Sequence, residues 1–172
     1  VVEAMLPYFT ETYGNASSVH AFGRAARTAV DRARAQVAGL LGAASPEEVI
    51  FTSGGTESDN LAIKGVADAM KAKGDHVITC AIEHSAVLKA CKAIEKNGCK
   101  ATYVGVDRYG VINLRELKDA ITDKTVLISV MYANNEVGTI EPLAEIARIA
   151  KEKGISFHTD AVQAFGKIPF SV

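Results

Sequence analysis

The chain has 172 residues, of which 48% are hydrophobic and 23% are charged, and its formal net charge is −1 at pH 7. Acidic and basic residues are interspersed, so no basic stripe is available for a nucleic acid backbone and no nucleic-acid partner is expected. No apolar run approaches the ~20 residues that span a bilayer, so no membrane partner is expected either.

Short apolar runs alternate with longer helical patterns along the chain. Helices are predicted over residues 24–41, 57–73, 85–96, 113–121 and 142–153, from apolar residues at helical spacing. Strands are predicted over residues 50–52, 76–80, 101–104, 126–131 and 155–158, and a further element is expected from Gly166 onward. This alternation predicts an α/β fold, a three-layer α/β/α sandwich in which helices cover both faces of a mostly parallel sheet.

Several residues are expected to begin or end the helices. Asn113 is a favourable N-cap, and Pro142 suits the first turn of a helix. Gly42 and Gly74 follow the last periodic residues of their helices and are expected to end them. In the helix over 57–73, the residues expected to face the core are Leu61, Ala62, Val66, Ala69 and Met70.

Polar clusters follow the predicted strands, at the carboxyl ends where parallel sheets bind ligands. They cover residues 53–56, 83–85, 134–138 and 158–160. In the first cluster, Gly54 and Gly55 stand between a strand and a helix. Paired glycines let the backbone approach a ligand closely, and the N-terminus of the following helix favours an anion. The sequence therefore predicts a phosphate-binding turn.

The rest of the sequence narrows the kind of phosphate ligand. Neither G-x-x-x-x-G-K-[ST] nor G-x-G occurs, so a nucleotide is not expected. The four histidines show no metal-ligand spacing, so no metal site is predicted. A cofactor with one phosphate and an aromatic ring fits better. His84 could stack on such a ring and Asp160 could face its nitrogen, while Asn135 and Gln163 could reach a ring oxygen.

Four ordered motifs carry a resemblance to a known family. They are FTSGGTESDN at 51–60, EH at 83–84, NNEVG at 134–138 and HTDAVQ at 158–163. Together they closely resemble the cysteine desulfurases of the NifS/IscS type, which are pyridoxal-phosphate enzymes of fold type I in the class V aminotransferase group. The early segment GNASSVHAFGR at 14–24 is also similar, with Ala16 where a proline is common.

The resemblance implies pyridoxal 5′-phosphate as the cofactor and assigns roles to the motif residues. The glycine turn and Thr56 would bind the phosphate, His84 would stack on the ring as a candidate proton relay, and Asp160 would pair with the ring nitrogen. The implied cofactor-binding set is Gly54, Gly55, Thr56, His84, Asn135, Asp160 and Gln163. Each residue also has an ordinary structural explanation, as a helix cap, a loop residue or a turn residue, and from the local sequence these explanations stay open.

The resemblance also implies how the chain divides. Residues 1–20 are expected either to belong to a second, smaller domain or to contact it, and residues 21–172 to form an incomplete cofactor-binding large domain. The family's Schiff-base lysine and sulfur-accepting cysteine have no counterpart here, and Lys167 does not match the lysine motif. Cys80 and Cys91 are expected in the core. The chain alone is therefore predicted to be inactive.

The implied reaction converts L-cysteine to L-alanine and leaves a persulfide on the enzyme. The sulfur would pass to an acceptor or scaffold protein, for iron–sulfur cluster assembly or another pathway, and a cytoplasmic homodimer is expected. Two alternatives stay open. One is a selenocysteine lyase, a cysteine sulfinate desulfinase or another class V transaminase, and the other is a non-catalytic remnant or interaction module with the same fold.

Overall fold

The computed structural model describes residues 1–172 and divides into two compact units. The first unit comprises Val1–Phe51 together with Pro169–Val172, and the second comprises Thr52–Ile168. The sequence-based division after residue 20 concerns a different boundary from this one, and it stays a prediction. No helix in either unit is both long enough and apolar enough to cross a membrane.

The second unit is built on a sheet of four parallel strands in the order β2-β1-β3-β4. The strands are β1 (His76–Cys80), β2 (Lys100–Val104), β3 (Thr125–Ser129) and β4 (Ser156–His158). The helices are α3 (Gly55–Ala69), α4 (Ser85–Glu95), α5 (Leu114–Ala120) and α6 (Leu143–Lys153). After β2 the chain crosses over β1 to form β3, so the strand order reverses between β1 and β3. Ligands in open α/β sheets bind at this kind of reversal.

The two faces of the sheet carry separate apolar clusters, because successive strand residues point in opposite directions. In β1, Val77 packs with α3 and α4, whereas Ile78 packs on the opposite side with α5 and α6. Leu127 and Ile128 divide β3 in the same way. Every residue of β1 and β3 is buried, as expected for parallel strands covered on both faces. The predicted α/β fold with helices on both faces is confirmed.

The structure also corrects several details. Residues 50–52 form no strand, and the chain from Gly166 onward forms only turns and irregular backbone. α3 ends at Ala69 rather than at Gly74. Gly74 instead lies so close to the carbonyl of Lys124 that an added Cβ would collide with it. Pro142 is the residue before α6 rather than its first residue.

The buried face of α3 differs from the prediction. Its buried residues are Asp59, Ile63 and Ala67, whereas Leu61 is 52% exposed. Asp59 is charged, so it was not counted among the apolar residues that define the buried face. The face predicted from the apolar residues is therefore rotated around the helix axis from the face that is buried. The helix cap predicted at Asn113 is confirmed, unlike the buried face of α3. Asn113 accepts hydrogen bonds from the N–H groups of Arg115 and Glu116, both at 3.1 Å, which confirms it as an N-cap.

The first unit contains α1 (Val2–Thr10), which the sequence analysis missed, and α2 (Ala21–Leu41). His20 caps α2 by accepting a hydrogen bond from Gly23 N–H, and Gly42 ends the helix in the left-handed conformation at φ 70°. A short 3₁₀ turn, Pro46–Glu48, follows. The Arg34 guanidinium lies 5.0 Å from the centre of the Phe51 ring, a cation–π distance.

Candidate functional site

A cavity of about 270 Å³ lies at the carboxyl end of the sheet in the second unit. This volume is close to the lower end of the ~300–1,000 Å³ range of small-molecule sites. Segments that follow β1, β3 and β4 meet the start of α3 there. The lining residues are Gly55, Thr56, Asp59, His84, Met131, Ala133, Asn135, Asp160, Val162 and Gln163. Six of the seven residues predicted to bind the cofactor are among them, and the seventh, Gly54, directly precedes Gly55.

The glycine turn forms one wall of the cavity. Gly54 is the N-cap of α3, and no side chain caps the N–H groups of this first turn. Glu57 braces the turn from behind, because its Oε2 accepts hydrogen bonds from Ser53 N–H and Oγ–H, both at 2.6 Å. An added Cβ at Gly54 would meet nothing within 4 Å. The uncapped start of a 15-residue helix therefore faces open space and favours an anion there.

His84 also lines the cavity and lies immediately before α4. Its Nδ1 accepts a hydrogen bond from Ala86 N–H at 3.3 Å, so it is the N-cap of this helix. In the neutral ring the proton is then on Nε2. The structural alternative for His84 was a loop histidine before a helix capped by Ser85, whereas His84 itself is the cap and Ser85 is the first residue of the helix. Capping does not exclude a function, because the ring also lines the cavity. The cap fixes the position of the ring.

The two asparagines at 134 and 135 have different roles: the side chain of Asn134 stabilises the turn, and that of Asn135 is free to bind a ligand. Asn134 holds the turn, because its Oδ1 accepts from the N–H groups of Glu136 and Val137 and its Nδ2 donates to Ile82 O. The side chain of Asn135 makes no hydrogen bond within the protein and lines the cavity. Its amide is therefore free to donate to a ligand.

Asp160 and Gln163 both line the cavity after β4. One carboxylate oxygen of Asp160, Oδ1, accepts a hydrogen bond from Val162 N–H at 3.0 Å, which leaves the other oxygen available. Gln163 Oε1 accepts a hydrogen bond from Lys167 Nζ at 3.2 Å, so its NH₂ group remains the free donor. Lys167 is exposed, does not line the cavity and serves here only to hold Gln163.

Asp59 was not predicted as a site residue, yet it lines the same cavity from α3 and is only 4% exposed. Burial, and then the negative charge of Asp160, raise the pKa of Asp59 to about 6. Its Oδ1 lies 3.7 Å from His158 Nε2, and His158 Nδ1 lies 2.8 Å from the Oγ of Ser129. Burial lowers the pKa of His158. Asp59 follows Gly55 by one helical turn, and this spacing was the signal that could have revealed it.

Glu83 belongs to the second predicted polar cluster but has a structural position. It is 5% exposed, and its Oε1 accepts a hydrogen bond from Met131 N–H at 2.6 Å, which ties the end of β1 to the end of β3. Its Oε2 has no hydrogen-bond partner. Burial is the main cause that raises the pKa of Glu83 to about 8. At neutral pH it is therefore mostly a neutral acid beside the site.

The cavity contains neither of the two nucleophiles, a lysine and a cysteine, that the resemblance implies for the reaction. No lysine or cysteine lines it. Cys80 and Cys91 are fully buried, as predicted, and burial raises the pKa of each thiol to about 12, so neither forms a thiolate at neutral pH.

The ligand atoms of Asp59, His84 and Asp160 lie within 4.8 Å of one another. This spacing is compatible with a cation that these side chains would share.

A second cavity, of about 640 Å³, adjoins the first and shares His84 and Asn135 with it. Arg108 lies over the ring of Tyr109, with its Cζ atom 4.6 Å from the ring centre, and both residues line this second cavity. The first cavity therefore offers space for an aromatic ring of a ligand, and the second offers space for a group attached to that ring.

Comparison with known proteins agrees with this geometry. The cysteine desulfurase IscS of Methanosarcina thermophila is 55% identical over 172 residues, which is 100% of this chain and 42% of that protein. The cysteine desulfurase IscS of Dictyoglomus turgidum is likewise 55% identical, over 100% of this chain and 43% of that protein. The chain thus spans less than half the length of these curated relatives.

Solved structures share the fold. A NifS-like protein superposes with a TM-score of 0.95 at 44% identity, covering 99% of this chain and 47% of that one. A structure described as SspA in complex with cysteine has a TM-score of 0.95 at 39% identity, covering 99% and 49%. These likenesses confirm the resemblance that the motifs indicated. Since the aminotransferase class V family model matches residues 1–172, the whole chain, this chain belongs to the class V aminotransferase family.

Proposed function

We propose that this chain forms the pyridoxal 5′-phosphate-binding part of a cysteine desulfurase. Enzymes of its family generally use this cofactor, and relatives at 55% identity are named cysteine desulfurases. The observation that carries the proposal is the single cavity that gathers an uncapped helix N-terminus, an imidazole, a carboxylate and two amide side chains.

The chemistry of the lining residues fits a phosphorylated pyridine. The N–H groups at Gly55 and Thr56, with the Thr56 hydroxyl, would hold the phosphate at the positive end of α3. A carboxylate suits a protonated ring nitrogen, and Asp160 lines the cavity with one oxygen that accepts no hydrogen bond from the protein. When bound, pyridoxal phosphate supplies an electron sink for negative charge that develops on the substrate.

The remaining lining residues orient the ring and handle protons. Asn135 and Gln163 each have a free NH₂ donor for the ring oxygen. The hydrogen bond from Ala86 N–H to Nδ1 holds the His84 ring in place and leaves Nε2 to carry the proton. The imidazole would stack on the pyridine ring, and its Nε2 would transfer the proton. Asp160 would keep the ring nitrogen protonated, since a nearby carboxylate favours the cationic form.

The substrate and partners are part of the same proposal. L-cysteine is the proposed substrate, and the relative whose solved structure is described as a complex with cysteine supports it. Transfer of the sulfur to an acceptor or scaffold protein, and a homodimeric assembly, are proposed on the family alone. Because no lysine or cysteine lines the cavity, we expect this chain to bind the cofactor without turnover.

Cofactor binding by the 172-residue chain tests the proposal. Pyridoxal 5′-phosphate at 100 times its dissociation constant stabilises a folded protein by about 2.7 kcal/mol, which corresponds to a rise in melting temperature of roughly 5–10 °C for a chain of this size. The melting temperature is measured with pyridoxal 5′-phosphate and with inorganic phosphate as the control. Equal shifts with both ligands, or none with either, would refute a pyridine-binding site.

The variant Asp160→Asn gives a matched comparison. Replacing the carboxylate with an amide of the same shape should weaken binding of the ring while leaving the phosphate contacts intact. Asp123, which is exposed and whose side chain forms no hydrogen bond or ion pair, provides the control variant Asp123→Asn. If both variants bind pyridoxal 5′-phosphate as tightly as the wild type, Asp160 does not face the ring nitrogen.

A further inference from the structure

Asp59 is a buried carboxylate that the proposed function leaves unexplained. It is 4% exposed, lines the cavity and accepts no hydrogen bond from the protein. The nearest nitrogen is Nε2 of His158, at 3.7 Å, which is beyond hydrogen-bond distance. A buried carboxylate normally has a donor or a cation as its partner. The Asp59 oxygens are not among the inaccessible side-chain atoms that lack a partner, so the carboxylate opens on the cavity, where a bound group could interact with it.

His158 does not supply the missing charge. Burial lowers its pKa, so the imidazole is neutral at pH 7. Ser129 Oγ lies 2.8 Å from Nδ1, and a hydroxyl that donates there leaves the ring proton on Nε2, which faces Asp59. The arrangement resembles a Ser-His-Asp triad, but Ser129 is fully buried within β3 and cannot reach a substrate. The hydroxyl orients the imidazole, and the imidazole presents a dipole to Asp59.

The other charged groups around Asp59 make the need for a cation stronger. The carboxylate oxygens of Asp59 and Asp160 and a ring nitrogen of His84 lie within 4.8 Å of one another. Burial and then the charge of Asp160 raise the pKa of Asp59, while His84 lowers it, and the charge of Asp59 adds to the effect of burial in raising the pKa of Glu83. No lysine or arginine lines this part of the cavity. A positive charge held by Asp160 would therefore also interact with Asp59 at short range.

We propose that Asp59 is a second carboxylate of the ring-nitrogen site, a positioning residue whose charge supports Asp160 in keeping the bound pyridine protonated. The inference rests on the proposed function and extends it to a residue on a different element, α3. Two carboxylates on one cationic ring nitrogen hold the proton more firmly than one. Ser129 fixes the orientation of the His158 ring, and the Nε2 of that ring lies 3.7 Å from Asp59 without forming a hydrogen bond to it.

The test measures the proton on the ring nitrogen directly. Pyridoxamine 5′-phosphate needs no lysine for binding, and the ¹⁵N chemical shift of its labelled ring nitrogen reports protonation. The complex is titrated with pH for the wild type, Asp59→Asn and Asp68→Asn. Asp68 lies on the same helix but is exposed, so it is the matched control. At an effective dielectric of about 20, loss of one charge several ångströms away should lower the ring-nitrogen pKa by about 1–2 units.

The expected result is that the wild type and Asp68→Asn retain the ring proton to a pH about 1–2 units higher than Asp59→Asn does. Identical titration curves for all three chains would overturn the role of Asp59 while leaving the proposed function intact. If the wild type binds no pyridoxamine 5′-phosphate, both proposals fail. Zn²⁺ that binds the wild type and excludes pyridoxamine 5′-phosphate would overturn the inference in favour of a metal site.

A second measurement covers the case in which Asp59→Asn does not fold. In the wild-type chain with ¹³C-labelled aspartate carboxyl groups, the Asp59 carboxyl titrates with a pKa of about 6. Charge coupling is reciprocal, so bound pyridoxamine 5′-phosphate should lower this pKa. A pKa of Asp59 that is the same with and without the ligand would overturn the inference, because the two groups would then not interact.

Discussion

Glu83 provides the sharpest test of the electrostatics beside the site. The perturbation is Glu83→Gln, which keeps the shape of the side chain and its acceptor for Met131 N–H but cannot ionise. Burial is the main cause that raises the pKa of Glu83 from 4.5 to about 8 in the folded protein. At about 1.36 kcal/mol per pKa unit, ionising Glu83 in the folded protein costs at most roughly 5 kcal/mol of the free energy of unfolding.

The sign of the pH dependence follows from which state holds the proton. Between pH 4.5 and about 8 the folded protein keeps Glu83 protonated while the unfolded chain ionises it. The folded state then binds more protons, so the free energy of unfolding falls as pH rises through this window, by up to roughly 1.4 kcal/mol per pH unit. Above pH 8 both states are ionised and the loss is complete. The glutamine variant lacks this contribution.

Urea unfolding at pH 5, 6, 7 and 8 measures the effect. The wild type should lose stability relative to Glu83→Gln at each step, so that the variant is the more stable chain at pH 8. Glu136→Gln, at an exposed side chain without hydrogen bonds, should follow the wild type at every pH. Carboxyl groups that do not interact with Glu83 titrate alike in both chains and cancel in the difference. Asp160, Asp59 and Glu141, whose charges add to the effect of burial on the pKa of Glu83, cancel only in part. A difference between wild type and Glu83→Gln that stays constant from pH 5 to 8 would refute the reasoning, because Glu83 would then have an ordinary pKa.

Two further predictions concern the core. In the folded chain a thiol reagent should modify Cys99, which is partly exposed, much faster than the fully buried Cys80 and Cys91, and in urea all three should react equally; three fast thiols in the folded chain would contradict the buried positions. Gly74→Ala should destabilise the chain by about 1–3 kcal/mol, because the added methyl group collides with a backbone carbonyl. Gly65→Ala is the control, because this helical glycine has open space around it, and the variant should be neutral or stabilising by about 0.5–1 kcal/mol. Urea unfolding measures both variants, and equal effects would contradict the close approach at Gly74.

Much of the site could be predicted because its signals are local. A paired glycine before a helix, and polar residues after apolar strands, are features of a few consecutive residues. Parallel strands then bring these segments together at one edge of the sheet, so Thr56, His84, Asn135 and Asp160 meet as expected. The cofactor proposed for this site came from the family resemblance, since a phosphate turn alone is compatible with many ligands.

The sequence by itself determined the alternation of strands and helices, the caps at Gly42 and Asn113, and the residues that line the cavity from the strand ends. Only the tertiary structure decided which face of α3 is buried, and hence that Asp59 lies beside Asp160. Helical periodicity is a property of one segment, whereas burial depends on what the rest of the chain packs against that segment. A carboxylate on the inner face of a helix looks like a surface residue until the sheet beneath it is known.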